Sequence, residues 1–530
     1  SAVAKTSDRD SRYWHDAFEW TYYGNLLRQL RDHKPGVAPT PKTQAFFCID
    51  DREGSIRRHL ETLAPDISTF GAPGFFGVDF LFQGSDRAVA TQHCPVILTP
   101  KHVIKEPPKK SRRGEYLRRG FHLWEVTTTG FRGWVATPLF GLWAMLQLSR
   151  QVFFGGAARR PEESQAERDP LPVERVNDAR DPQGRFLGYS REEMADRVGA
   201  ILRNCGLKSG FADLIVMVAH GSTTNNNPHF AAYDCGACAG KHGWPNARAF
   251  ATMANHRGVR ELLKTRGIEI PDSTHFLASM HDTTSDDISY YDEAFVPDSH
   301  RGLVAAFKTN MERALDLNAQ ERARKFDLAP SNPKAAHAHV RQRSTALFEP
   351  RPEWNHAGNA AAVVGRRGLT RGLNLGRRVF MQSYDPTVDP TGDILAALLG
   401  AVIPVCGGIN LEYLFSRIDN DVYGAGSKLP HNVIGLLGVA AGVAGDLRTG
   451  LPSQMIEIHD PVRLLVVVEQ TPAVALAAAS KNPAIFEWVQ NEWVRFAALD
   501  PETKQCSVWV NGAFHHFDPA NLRLAEKGNT

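Results

Sequence analysis

A surplus of charge of one sign is missing from this chain: 61 Lys and Arg stand against 58 Asp and Glu in 530 residues, a formal net charge of +3. So balanced a sequence is neither a polycationic wrapper of nucleic acid nor an acidic disordered tail. Cysteine is scarce. Seven of them, at positions 48, 94, 205, 235, 238, 406 and 506, are odd in number and thinly spread, which excludes a disulfide framework. A reducing cytosol is expected, with any special cysteine serving metal or redox chemistry. The sequence also has no internal repeat and no low-complexity tract. Three charge-free stretches reach the lower edge of membrane-spanning length, but each is interrupted: Gly133–Ser149 by Pro138, Ile394–Leu411 by Pro404, Gly407, Gly408 and Asn410, and Leu429–Gly445 by several glycines. All three are expected to be buried or interface-facing. The chain opens Ser1-Ala2-Val3-Ala4-Lys5, without Met or a charged-then-apolar leader, and Ser1 is expected to be an internal start of a longer protein.

What is present is ordinary globular composition, 42% apolar and 22% charged, in a length that allows several cores. Residues 44–48 predict a strand, followed by a turn at 49–53 and a helix from Ser55. Ser190 and Glu193 have capping-box spacing and open a helix ending near Gly206. That helix feeds the apolar run 213–219, which reads as a strand covered on both faces and leads directly to His220. Pro95–Leu98 and His275–Met280 predict two further strands, the second running into His281-Asp282. This alternation predicts an α/β fold with a largely parallel sheet core, large insertions and an additional C-terminal α/β region. The expected parts are residues 1–100 and 190–300 as two portions of one core, 101–189 as an insertion and linker, and 301–530 as the C-terminal region. Within the insertion, a basic run over 101–119 precedes an aromatic one over 121–154, the order of a membrane-surface or partner-docking element, or of a solvated loop ahead of a core helix. Residues 159–187 read as a surface linker.

Chemistry concentrates at the predicted strand ends. Cys48 and Asp50 are two residues apart and point the same way on an extended backbone, so thiolate and carboxylate can reach one ion. Arg52 can fork onto Asp50. His220 follows the buried strand, and glycines at 221, 236, 240 and 243 allow the loop that would bring Cys235 back to it. Two thiolates, an imidazole and a carboxylate suit tetrahedral zinc, at the carboxyl ends of neighbouring parallel strands. The same residues also admit a hydrogen-bonded core histidine and a redox pair in Cys235-x-x-Cys238. His281 and Asp282 are expected to support the site or to form a polar loop, and 225–228 to be turn chemistry. The stretch Lys241–Arg248 is expected to continue the Cys235 loop.

Cys48-x-Asp50-x-Arg52 with a distant His and Cys resembles the zinc site of the β-carbonic anhydrases. More specifically, Phe47-Cys48-Ile49-Asp50-x-Arg52-Glu53, His220-Gly221-Ser222, Ala232-Tyr233-Asp234-Cys235-Gly236-Ala237-Cys238 and Pro245-Asn246-Ala247-Arg248 resemble the DabA family of inorganic-carbon accumulation complexes. Gly408–Tyr413, Lys428–Val433 and Gly445–Pro452 fit the same family, so the likeness covers nearly the whole chain. The resemblance implies a sheet core like that of β-carbonic anhydrase and Zn2+ held by Cys48, Asp50, His220 and Cys235. It implies Arg52 as the dyad partner of Asp50, with the two acting in catalysis. Asp50 would withdraw toward Arg52, opening the site for water and for hydration of CO2 to bicarbonate. It further implies a DabB-like cation-translocating membrane subunit as partner and a peripheral place on the cytoplasmic side of the inner membrane, with no nucleic acid. A zinc-stabilised scaffold without turnover and a thiol-redox module on Cys235 and Cys238 are the alternatives. Asp51 and Gly54 depart from the family pattern, and an acid at 51 is expected to compete for Arg52.

Overall fold

In the computed structural model the described residues are 2–36, 39–85, 88–107, 120, 130–154, 169–224, 227, 229–346, 353–426, 431–434, 438–441, 447–448, 450–518 and 523–524. Strands β1 (Thr43–Cys48), β2 (Ile67–Ala72), β3 (Leu214–Gly221), β4 (His275–Asp282) and β5 (Asp287–Tyr291) form a sheet of order β2-β1-β3-β4-β5. Its pairings are parallel except for the β4–β5 hairpin. Successive side chains of a strand face opposite sides. Ile215, Met217 and Ala219 accordingly join one core with Met194, Val198 and Phe250 of the helices Arg191–Asn204 and Trp244–Asn255. Leu214, Val216 and Val218 join the other, with Ile56, Leu60, Phe307 and Met311 of the helices Gly54–Leu63 and Arg301–Ala323. Helices on both faces explain why the sequence of β3 is continuously apolar rather than alternating. The helix before β3 starts on the expected reciprocal capping box between Ser190 and Glu193.

A second sheet comprises β6 (Ala361–Gly365), β7 (Val379–Ser383), β8 (Leu465–Val468), β9 (Arg495–Leu499), β10 (Cys506–Val510), β11 (Ala513–Asp518) and β12 (Arg523–Leu524), in the order β7-β6-β8-β9-β10-β11-β12. It is parallel from β7 to β9 and antiparallel beyond. The chain is thus an α/β protein with mostly parallel sheets and helical insertions. The two sheets meet edge to edge, where Met381 N donates to Ile49 O at 2.9 Å and Gly71 N to Ser383 Oγ at 2.9 Å. Gly71 permits this approach, since a Cβ there would lie 1.9 Å from Met381 O.

Two local expectations are corrected. Pro95–Leu98 is a turn rather than a strand, with Ile97 83% exposed; Pro95 offers no N–H to a ladder, and the apolar run faces solvent instead of a core. Lys241–Arg248 leaves the loop at Trp244, where a helix starts with Pro245 in its first turn, a position that suits the fixed φ of proline.

Among the described residues one helical stretch, Asp393–Ile418, is long and apolar enough to cross a membrane, and 44% of its most apolar window is buried. A π-type turn at Ile403–Gly407, containing Pro404, divides it, and Leu395, Leu398, Val402 and Cys406 pack on the second sheet. The Gly133–Ser149 segment lies in the helix Gly130–Phe154, which runs through Pro138. Phe131, Trp134, Leu142, Trp143, Leu146 and Phe153 on this helix are exposed. Most of the basic run and the start of the aromatic one, the front of the 159–187 linker, residues 225, 226 and 228, and most of 427–446 lie outside the described residues.

Candidate metal centre

The site begins with sheet topology. β1 has β2 on one side and β3 on the other, so the strand order reverses direction at the β1–β3 boundary, where open parallel sheets leave a crevice at their carboxyl ends. Phe47 is level with Val218 in the register, which brings Cys48, the last residue of β1, and His220, near the end of β3, to the mouth of that crevice. Cys235 arrives from the following loop. Left-handed backbone at Ala239 (φ 56°) and Gly240 (φ 67°) turns the loop back, a bridge joins Cys235 to Lys241, and Gly243 N donates to His220 O at 2.9 Å. The ligand atoms of Cys48, His220 and Cys235 all lie within 4.8 Å of one another, and all three side chains are buried. Gly74 closes over them, because a Cβ there would stand 2.7 Å from Cys235 Sγ and 2.9 Å from Cys48 Sγ.

Asp50 stands beside this group rather than in it. Its backbone is the cap of the short turn Asp51–Glu53, and Oδ1 accepts from Arg52 N at 2.9 Å. The guanidinium grips the same carboxylate with a fork, Nε to Oδ1 and Nη2 to Oδ2, both 2.9 Å. Asp50 Oδ2 is 3.3 Å from His220 Nε2, so the carboxylate adjoins the Cys48, His220 and Cys235 group through the imidazole. Burial opposes ionisation of Asp50, but Arg52, His356 and His220 outweigh it and hold the carboxyl well below the usual range. Arg52 is itself buried. Its Nη1 donates to Glu353 Oε1 and to the Tyr233 carbonyl, both at 2.7 Å, and to Thr283 Oγ1 at 3.3 Å.

Asp51 does not take Arg52 from Asp50 by a direct hydrogen bond. Its Oδ1 is engaged by His356 Nδ1 at 2.6 Å, and Asp50, Asp51 and His356 form a second close group. Glu353 and His356 were not singled out from the sequence. Their only local signal is the polar run Glu353-Trp354-Asn355-His356 ahead of apolar β6. Asn227 Oδ1 accepts from His229 N, the turn chemistry expected of that segment.

The donor set suits a metal. His220 Nδ1 is buried without a hydrogen-bond partner. The Cys48 thiol is pushed well up by its contact with Cys235 and by burial, and the Cys235 thiol by Cys238, with burial adding to it. Two buried thiols side by side resist ionisation unless a cation joins them. Sulfur and imidazole nitrogen in one tight group are the ligands that zinc favours.

The third strand end packs against Glu53, the residue after Arg52. His281, level with His220 in the β3–β4 register, lies between Glu53 Oε1 (2.8 Å) and Asp286 Oδ1 (3.1 Å). Burial disfavours its charge, yet the two acids prevail and lift it to about 10. The folded value exceeds the ordinary histidine value of about 6.5, so this stabilisation is complete below that pH and is lost as pH rises toward about 10. The unfolding free energy is expected to fall across this window with a slope of up to about 1.4 kcal/mol per pH unit, read from denaturant titrations, and the His281→Gln variant should lose that slope. Equal slopes in both proteins would contradict the assignment.

With this geometry in place, comparison with known proteins is decisive. The family model described as "Probable inorganic carbon transporter subunit DabA" matches residues 1–494. The chain belongs to the DabA family. A DabA of Azotobacter vinelandii described as a probable inorganic carbon transporter subunit is 44% identical over 524 residues, covering 96% of this chain and 61% of the relative. A second DabA, from Sorangium cellulosum, is 45% identical over 535 residues, with 97% and 53% covered, and one from Nitrosospira multiformis is 43% identical over 519, with 94% and 56% covered. The chain spans a little over half the length of these DabA relatives.

Proposed function

We propose that this chain is the zinc-dependent part of an inorganic-carbon uptake complex, hydrating CO2 to bicarbonate on the cytoplasmic side. The observation that carries the reading is the gathering of Cys48, His220 and Cys235 at one crevice, with Asp50 forked onto Arg52 beside them. Cys48, His220 and Cys235 would hold the ion, and Asp50 would be the exchangeable fourth ligand, an arrangement like that of β-carbonic anhydrase. A bound zinc supplies Lewis acidity that brings a water's pKa to about 7. The chain's own residues do the rest. Arg52 holds Asp50 back, Glu353 and the Tyr233 carbonyl anchor Arg52, and the burial of all these groups keeps bulk water from screening them. Carbon dioxide and water give bicarbonate and a proton. The grouping of Cys235 with Cys48 and His220 favours a metal over a dithiol.

Hydration alone transports nothing, so the reading includes a DabB-like cation-translocating membrane subunit and a peripheral place at the inner membrane. The helix Gly130–Phe154 fits such a contact: Arg132 and Arg150 are its only charges in 25 residues, and Phe131, Trp134, Phe140, Trp143 and Phe153 are exposed. Deleting 121–154 should release the chain from its membrane partner, as seen by co-purification; an intact complex would contradict the contact.

Cells co-expressing the partner test the chemistry. Asp50→Ala should keep the fold and abolish bicarbonate accumulation. Wild-type accumulation by a folded, zinc-loaded Asp50→Ala protein would refute the dyad.

A further inference from the structure

A pocket of about 400 Å³ opens on the far side of the loop that carries Cys235. Ser222, Thr223, Asp234, Lys241 and His242 give it polar walls, and Phe230 and Trp244 are among its apolar ones. Its polar wall and the metal centre share backbone. Asp234 precedes Cys235, Lys241 is bridged to Cys235, and Gly221, next to His220, lies so near His242 that a Cβ there would be 2.9 Å from the ring. Ser222 connects the pocket to the dyad: its Oγ donates to Glu353 Oε1 at 3.2 Å, the same oxygen that accepts from Arg52.

The charges of this pocket suit a particular ligand. Lys241 is half-buried, and its amine donates to the Ala239 carbonyl at 3.1 Å. An ammonium has three N–H groups, and among the described residues no carboxylate lies within ion-pair distance of this one. His242 Nε2 is 3.4 Å from Asp234 Oδ1, and Ser222 N donates to that same oxygen at 2.7 Å. A cation with unused N–H groups beside one carboxylate matches a small oxyanion that still carries a proton. The anionic oxygens need donors, and the O–H needs an acceptor.

We infer that this pocket is a holding site for bicarbonate, in which the Lys241 ammonium takes the anionic oxygens and Asp234 accepts the O–H. The identity of the anion rests on the hydration reading above; the site itself does not depend on zinc. Nitrate, which is planar and anionic but has no O–H, lacks the group that Asp234 would accept.

Calorimetric titration of the full chain with sodium bicarbonate, against a sodium chloride background of equal ionic strength, tests the site. Saturable binding is expected, weakened about tenfold or more in Lys241→Met, retained in Lys241→Arg, and tighter than binding of sodium nitrate. Equal affinity in Lys241→Met, or nitrate bound as tightly as bicarbonate, would overturn the proposal. Zinc assayed on the same samples separates the two readings. A zinc-free chain that binds bicarbonate through Lys241 keeps the pocket and fails the zinc reading; a zinc-loaded chain whose affinity ignores Lys241 does the reverse.

Discussion

Arg52→Ala is expected to destabilise the folded chain by about 3–5 kcal/mol, the range for removing one partner of a buried ion pair. Arg52 is 1% exposed and neutralises Asp50 and Glu353 together, while donating to the Tyr233 carbonyl and Thr283. Alanine would leave two buried carboxylates facing each other with Asp51 beside them. Arg52→Lys restores a charge but no fork, so it should recover only part of the loss. The variant should also carry a pH signature. In the native protein Asp50 is held low, so its contribution is present above the unfolded carboxylate value and is lost on acidification through the depressed folded one. Without Arg52, burial raises the orphaned carboxyls, and the deficit should shrink as pH falls toward about 4 and grow as it rises. Urea unfolding at several pH values reads both effects. A loss below about 1 kcal/mol, or one independent of pH, would contradict the role given to Arg52.

The second large effect is on metal content. Cys48→Ser, His220→Ala and Cys235→Ser should each abolish stoichiometric zinc, because the three donors lie within 4.8 Å of one another and no two of them complete a site. Cys238→Ser should retain zinc, since Cys238 is not in the group. Gly74→Ala removes no ligand, yet its new methyl would meet both sulfurs, and it too should lower zinc content while the sheet persists. Full zinc in the His220→Ala protein would contradict the site, as would loss in Cys238→Ser alone.

How much of this was legible in the sequence varies with the distance over which each feature is encoded. β3 and the helix before it are local: an unbroken apolar run and a capping box each have one physical reading, and both are present. Cys48 and His220 rested on strand ends, which periodicity locates well, and Cys235 on the glycines of the loop that follows β3. Asp50 was harder. A carboxylate just after a strand can continue the extended chain toward a shared ion or cap the next turn, and here the cap and the Arg52 fork take it. Glu353 and His356 reach the site only because the edge of the second sheet docks beside Ile49, a contact with no counterpart in local patterning. Pro95–Leu98 misled for the opposite reason, being apolar without being buried.

The central claim is a zinc ion held by Cys48, His220 and Cys235, and zinc K-edge absorption spectroscopy on the purified wild-type chain tests it most directly. The account predicts one zinc per chain, with two sulfur neighbours at about 2.3 Å and nitrogen or oxygen neighbours at about 2.0–2.1 Å. Substoichiometric zinc, or a shell without sulfur, would contradict it.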